Sequence, residues 1–126
     1  MKELRKRYRR FIKFVRRRLY GLTVESEISS GTYSRVYRGT WRESLLKKQK
    51  VAVKVIDHSD VPEQFLRVFL PEEIRISRKM IHPNLVNVFL HFSTMGETYL
   101  VSQLASCDLL VYIKKKGFHI SYIIVV

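Results

Sequence analysis

The sequence predicts an α+β fold, with five short strands, a helix between the third and fourth, and a basic helix ahead of them all. Two observations predict the body. Apolar, β-branched segments at 22–28, 35–40, 51–56, 85–92 and 98–104 are each bounded by Ser, Gly, Pro or Asn, the composition of strands and their turns. Helix-start signals occur only at 59–63, at Pro71 and at Asp108, so strands run in groups instead of alternating with helices. The third observation concerns charge. Ten of the 24 basic residues lie in positions 1–18 with Glu3 as the sole acid there, leaving 14 bases against ten acids, or +4, for the rest of a chain of net charge +13.

At 126 residues and 46% hydrophobic content the chain fits one domain with a core. Its expected organisation is a basic amphipathic arm at 1–20, a folded body at 21–117 and an apolar tail at 118–126. The single Cys107 cannot form an internal disulfide, which favours a reducing, intracellular compartment, cytoplasmic or nuclear. No apolar run is long enough to span a bilayer, and recurring arginines interrupt any signal-peptide core.

The arm has a helical period. At 100° per residue, Leu4, Tyr8, Phe11, Ile12, Val15 and Leu19 fall within an arc of about 100°. Arg5, Lys6, Arg9, Arg10, Lys13, Arg16 and Arg17 occupy the other faces. Such a helix suits an acidic membrane surface, a calmodulin-like groove or a nuclear-localisation role. Docking on its own domain with a solvated basic face is the equal alternative. Sequence-specific nucleic-acid recognition is not expected, because basic runs bind phosphate without reading bases.

In the body, strands 22–28 and 35–40 flank a Ser/Gly turn, and the polar run 42–50 connects to strand 51–56. Ser59-Asp60-Val61-Pro62-Glu63 should start a short helix over 62–69. Pro71 should break it and open a second helix over 72–79. His82-Pro83-Asn84 forms a turn, and strands 85–92 and 98–104 follow around Gly96. Asp108 can cap a last helix, 109–116, which ends at Gly117 behind three lysines.

Two features carry chemistry. Ile28-Ser29-Ser30-Gly31-Thr32-Tyr33-Ser34-Arg35-Val36 places a small-residue tip between apolar positions. A glycine at such a tip lets backbone approach a ligand and permits torsions that other residues resist. Val51-Ala52-Val53-Lys54-Val55-Ile56 puts a lone lysine inside an apolar strand, where an ammonium must snorkel or find a partner. Glu73 lies ten residues before Pro83 and Glu72 beside it.

Together these residues resemble the eukaryotic protein kinases of serine/threonine type, with a Phe-Leu-Pro-Glu-Glu-Ile run similar to that of the testis-specific serine/threonine kinases. The resemblance covers about 22–117 and implies a protein kinase N-lobe: a five-stranded antiparallel sheet with a C helix. Ser29, Gly31 and Ser34 stand at the three positions of its glycine-rich loop, so one glycine of three is kept. The family implies ATP as cofactor. Ile28, Gly31, Val36 and Ala52 would then surround the nucleotide, the backbone of Gln103 and Ala105 would meet adenine beyond Ser102, and Asp108 would reach the ribose. Lys54 would hold phosphates while paired to Glu73. Ser77 occupies a position where the family carries an apolar residue.

The 126 residues contain no His-Arg-Asp, Asp-Phe-Gly or Ala-Pro-Glu, so neither a catalytic base nor a Mg2+ site is expected in them. The four histidines have no metal-ligand spacing. Two function classes result: a truncated serine/threonine kinase whose family activity is protein phosphorylation, inactive as this chain, or a non-catalytic, pseudokinase-like module targeted by its basic helix.

Overall fold

A computed structural model describes residues 1–117, without the side chains of Ile12, Lys13, Val15, Arg16 and Leu19. The apolar segment 118–126 lies outside the described residues. Helix α1 (Lys2–Leu19) leads into β1 (Leu22–Ser30), β2 (Arg35–Arg42) and β3 (Lys48–Asp57). Helix α2 (Leu70–Lys79), β4 (Val88–Ser93), β5 (Glu97–Gln103) and α3 (Leu109–Lys116) follow. The five strands form one sheet in the order β1-β2-β3-β5-β4, with every neighbouring pair antiparallel.

Alternation along the strands gives the sheet two faces. On one, Leu22, Val51, Val53, Phe92, Tyr99 and Val101 form a buried core flanked by Val24, Tyr37, Trp41 and Val55. On the other, Ile56 and Leu100 meet Leu70 of α2, with Phe65, Leu66 and Ile74 beside it. Each fully buried aliphatic or aromatic side chain contributes about 1.5–3 kcal/mol, so the sheet is stabilised from both sides.

Three elements differ from the expectation. The polar run 42–50 is largely strand, since β2 and β3 pair from Arg35↔Val55 out to Arg42↔Lys48. Only a tight turn remains, closed by Glu43 N–H donating to Lys47 C=O at 3.0 Å. Polarity there reflects the hairpin's extension beyond the core, where alternation no longer carries an apolar face. Strand 85–92 starts later, at Val88, because residues ahead of it turn through His82 C=O accepting from Leu85 N–H at 3.1 Å.

Pro71 does not break the helix before it. A π-helical turn, Phe65–Phe69, runs directly into α2, and Leu70 N–H bonds to Phe65 C=O five residues back. Proline has no N–H and its ring would crowd a carbonyl one α-turn behind. The widened turn absorbs that conflict, and the backbone stays helical at Phe69 (φ −75°, ψ −44°).

Among the described side chains of α1, those seen to reach the body lie at its C-terminal end. Gly21 turns the chain at φ +68°, and a Cβ there would lie 2.3 Å from Arg42 C=O, so another residue meets both strain and a clash. Arg17 Nη2 donates to the Tyr99 hydroxyl at 2.6 Å, with its guanidinium 5.1 Å from the ring centroid. Tyr20 stacks on Phe92 at 4.5 Å, and Phe92 stacks on Tyr99 at 4.8 Å. The Trp41 indole donates to Tyr20 C=O at 3.1 Å. Leu4, Tyr8, Phe11 and Phe14 remain exposed.

Candidate functional site

The site begins with strand register. Lys54 lies opposite Val36 on β2 and Leu100 on β5, and directly opposed residues share a face. Its neighbours Val53 and Val55 therefore point to the other core. Ala52, two residues away, shares the lysine's face opposite Arg38 and Ser102. A small, half-buried alanine there leaves the surface shallow beside the ammonium.

Helix α2 crosses this face and brings Glu73 to Lys54, with Nζ donating to Oε1 at 2.8 Å. The two side chains are 36% and 41% exposed. A pair so open to water contributes about 0–1 kcal/mol to stability, so stability is a weak reason for its presence. A lysine ammonium has three donors, and contact with one carboxylate oxygen leaves it able to meet a further anion. Glu72, the neighbouring acid, is engaged elsewhere. Arg75 Nε donates to its Oε2 at 2.9 Å, and this hydrogen bonding holds the Glu72 carboxyl below the usual range. Ser77 donates its hydroxyl to Glu73 C=O at 2.8 Å, which satisfies a polar side chain at a position facing the body.

At the hairpin between β1 and β2, Gly31 N–H donates to Ser34 C=O at 2.8 Å. The expectation of a special torsion at Gly31 is corrected: Gly21, Gly96 and Gly117 have positive φ, and Gly31 does not. A Cβ at Gly31 would meet nothing closer than Ser34 C=O at 3.7 Å, an ordinary contact. The local fold therefore does not demand glycine there. Ile28 is exposed before the tip and Val36 half-buried after it. The ring of Tyr33 rests on Phe65 with centroids 5.0 Å apart, tying the tip to the turn that begins the α2 helical run.

At the far end of β5, Gln103 lies opposite Val51, and its N–H donates to Asn87 C=O at 3.1 Å. Ala105 is exposed. Asp108 caps α3, with Oδ1 accepting from Val111 N–H at 2.8 Å. Val36, Ala52, Lys54 and Glu73 thus gather on one face, Ile28 and Gly31 belong to the hairpin beside it, and Ala105 and Asp108 follow Gln103 in the chain beyond the end of β5. Among the described residues, no group of three or more His, Cys, Asp or Glu could hold a metal ion. A cavity of about 420 Å³ between α2 and β4–β5, lined by His58, Leu70, Ile74 and Thr98 among others, does not include Lys54.

Sequence patterns gave no sign of the contacts made by Tyr33 and by Arg17. Tyr33 at a polar hairpin tip was the available signal for the first, since an aromatic there needs cover. The second links residues 82 positions apart and has no local signature.

A family model described as protein tyrosine and serine/threonine kinase matches residues 22–125. The chain is 40% identical over 88 residues to testis-specific serine/threonine-protein kinase 3 of Mus musculus, covering 68% of this chain and 31% of that protein. It is 36% identical over 99 residues to testis-specific serine/threonine-protein kinase 1 of Mus musculus, covering 77% and 26%. With testis-specific serine/threonine-protein kinase 4 of Homo sapiens the identity is 33% over 101 residues, covering 78% and 29%. The chain spans about a third or less of the length of these curated relatives.

Proposed function

The chain belongs to the protein tyrosine and serine/threonine kinase family, and on that premise we propose that its sheet and α2 cradle the phosphates of ATP. The observation that carries this reading is the Lys54–Glu73 contact at 2.8 Å, formed on an open face. Glu73 orients the ammonium, and the donors it does not take are offered to phosphate oxygens. Gly31 leaves the hairpin tip without a side chain at its closest approach. Val36 and Ala52 supply an apolar, shallow floor suited to a flat base, Gln103 and Ala105 offer backbone at the strand end, and Asp108 lies beyond them.

ATP, when bound, supplies a phosphoryl group for transfer to a hydroxyl. The residues of this chain bind and orient. The 126 residues carry no His-Arg-Asp or Asp-Phe-Gly, the motifs from which the family takes its catalytic Asp and metal ligands. Phosphorylation of serine or threonine in a protein substrate is accordingly proposed for the whole protein, and the 126-residue chain is expected to show no turnover.

Titrating the chain with ATP and following its melting temperature tests the reading. Charge-assisted hydrogen bonds are worth about 1.5–3 kcal/mol each, so Lys54→Met should weaken ATP binding about 10- to 100-fold. Equal ATP affinity in wild type and Lys54→Met would sink the proposal. No ATP binding by the wild-type chain would favour the non-catalytic module.

A further inference from the structure

We infer that α1 and the turn between β2 and β3 together form a peripheral binding face for an anionic lipid bilayer. Three observations support this. Helix α1 exposes Leu4, Tyr8 and Phe11 on its apolar stripe, and basic residues occupy its other faces. The β2–β3 turn exposes a second apolar feature, Leu45 at 90% and Leu46 at 101%. The C-terminal end of α1 adjoins the turn: a depression of about 400 Å³ is lined by Arg18 and Tyr20 at that end and by Trp41, Arg42 and Leu45 at the turn.

Charge selects the occupant. Lys47 is paired to Glu43 at 2.6 Å, but Arg42, Lys48 and the arginines of α1 add positive charge around both apolar features. Apolar side chains flanked by Lys and Arg suit the boundary between acyl chains and anionic headgroups. Nucleic acid would neutralise the charge and leave the apolar residues in water. A helix-binding groove would have to enclose α1, whose C-terminal end is held to the sheet by Arg17, Tyr20 and Trp41; it would also leave Leu45 and Leu46 uncovered. A bilayer accommodates both features without releasing that end. No described helix is long and apolar enough to cross a membrane.

The test is flotation of the full 126-residue chain with vesicles of phosphatidylcholine plus phosphatidylserine, against phosphatidylcholine alone, with circular dichroism of each variant as a folding control. Binding should require phosphatidylserine. Leu45→Ser with Leu46→Ser, and separately Leu4→Ser with Phe11→Ser, should each weaken it about tenfold or more. Arg9→Gln with Arg10→Gln should weaken it about fivefold per charge removed. The inference fails if the chain does not float with phosphatidylserine vesicles, or if either leucine-containing pair is without effect on a folded chain. It also fails if a duplex oligonucleotide or calcium-loaded calmodulin displaces the chain from vesicles without loss when Leu45 and Leu46 are changed.

Discussion

The two faces of the sheet each hold a charged side chain reaching in from a helix, and they treat it in opposite ways. On one, Arg17 of α1 meets Tyr99, whose hydroxyl also donates to Glu97, and Tyr99 is fully buried beneath stacked rings. On the other, Lys54 meets Glu73 with more than a third of each side chain in water. The first arrangement is closed and contributes to stability. The second is open and contributes little, which is the condition a charge needs if it is to serve a ligand.

Breaking the closed face should have the largest effect. Tyr99→Ala removes a buried ring that carries both a stack and a hydrogen-bond network, and should cost about 3–5 kcal/mol in urea unfolding. Tyr99→Phe keeps the ring and removes the hydroxyl that Arg17 and Glu97 share, at about 1–3 kcal/mol. The same variant gives a pH test. Burial first, then the hydrogen bond to Glu97, push the Tyr99 phenol above its usual 10.0. A raised folded value means stability present below about pH 10 and lost as pH rises beyond it. Wild type should therefore weaken at alkaline pH more steeply than Tyr99→Phe; parallel curves would refute the closed-network reading.

On the open face, Lys54→Met should change unfolding stability by no more than about 0.5 kcal/mol, in contrast to its expected effect on ATP. A loss as large as that of Tyr99→Phe would erase the distinction between the faces. The smallest effect belongs to a surface carboxylate outside both. Hydrogen bonds from Thr40 and then Lys50 hold the Glu25 carboxyl below its usual 4.5. A lowered folded value gives stability that is present above the unfolded value and lost as pH falls through the folded one. Glu25→Gln should flatten that acid limb slightly and lower the neutral plateau by the same small amount.

The open face was largely legible in the sequence. A lone lysine among β-branched residues signals a charge in need of a partner, and the resemblance to the kinases, not local geometry, singles out Glu73 as that partner. The five strands were legible from their apolar, β-branched composition and bounding turn residues. Other features depend on information that local pattern does not hold. Pro71 reads as a breaker, yet a π-helical turn at Phe65–Phe69, closed by Leu70 N–H on Phe65 C=O, precedes it and the helix continues. The hairpin 42–48 reads as loop because polarity outside a core looks alike in strand and turn. The Arg17–Tyr99 contact joins chain segments that only the tertiary fold brings together. Exposure of Leu45 and Leu46 is likewise invisible to composition, since a leucine pair in a polar run reads equally as a buried anchor.

The ring of Tyr33 lying on Phe65 has one more consequence. Phe65 begins the helical run that carries Glu73, so the hairpin tip and the carboxylate facing Lys54 share one support. Displacing the tip would part the two tilted rings and uncover Phe65, so the hairpin and the helical run are linked through an aromatic contact that belongs to neither strand nor charge pair.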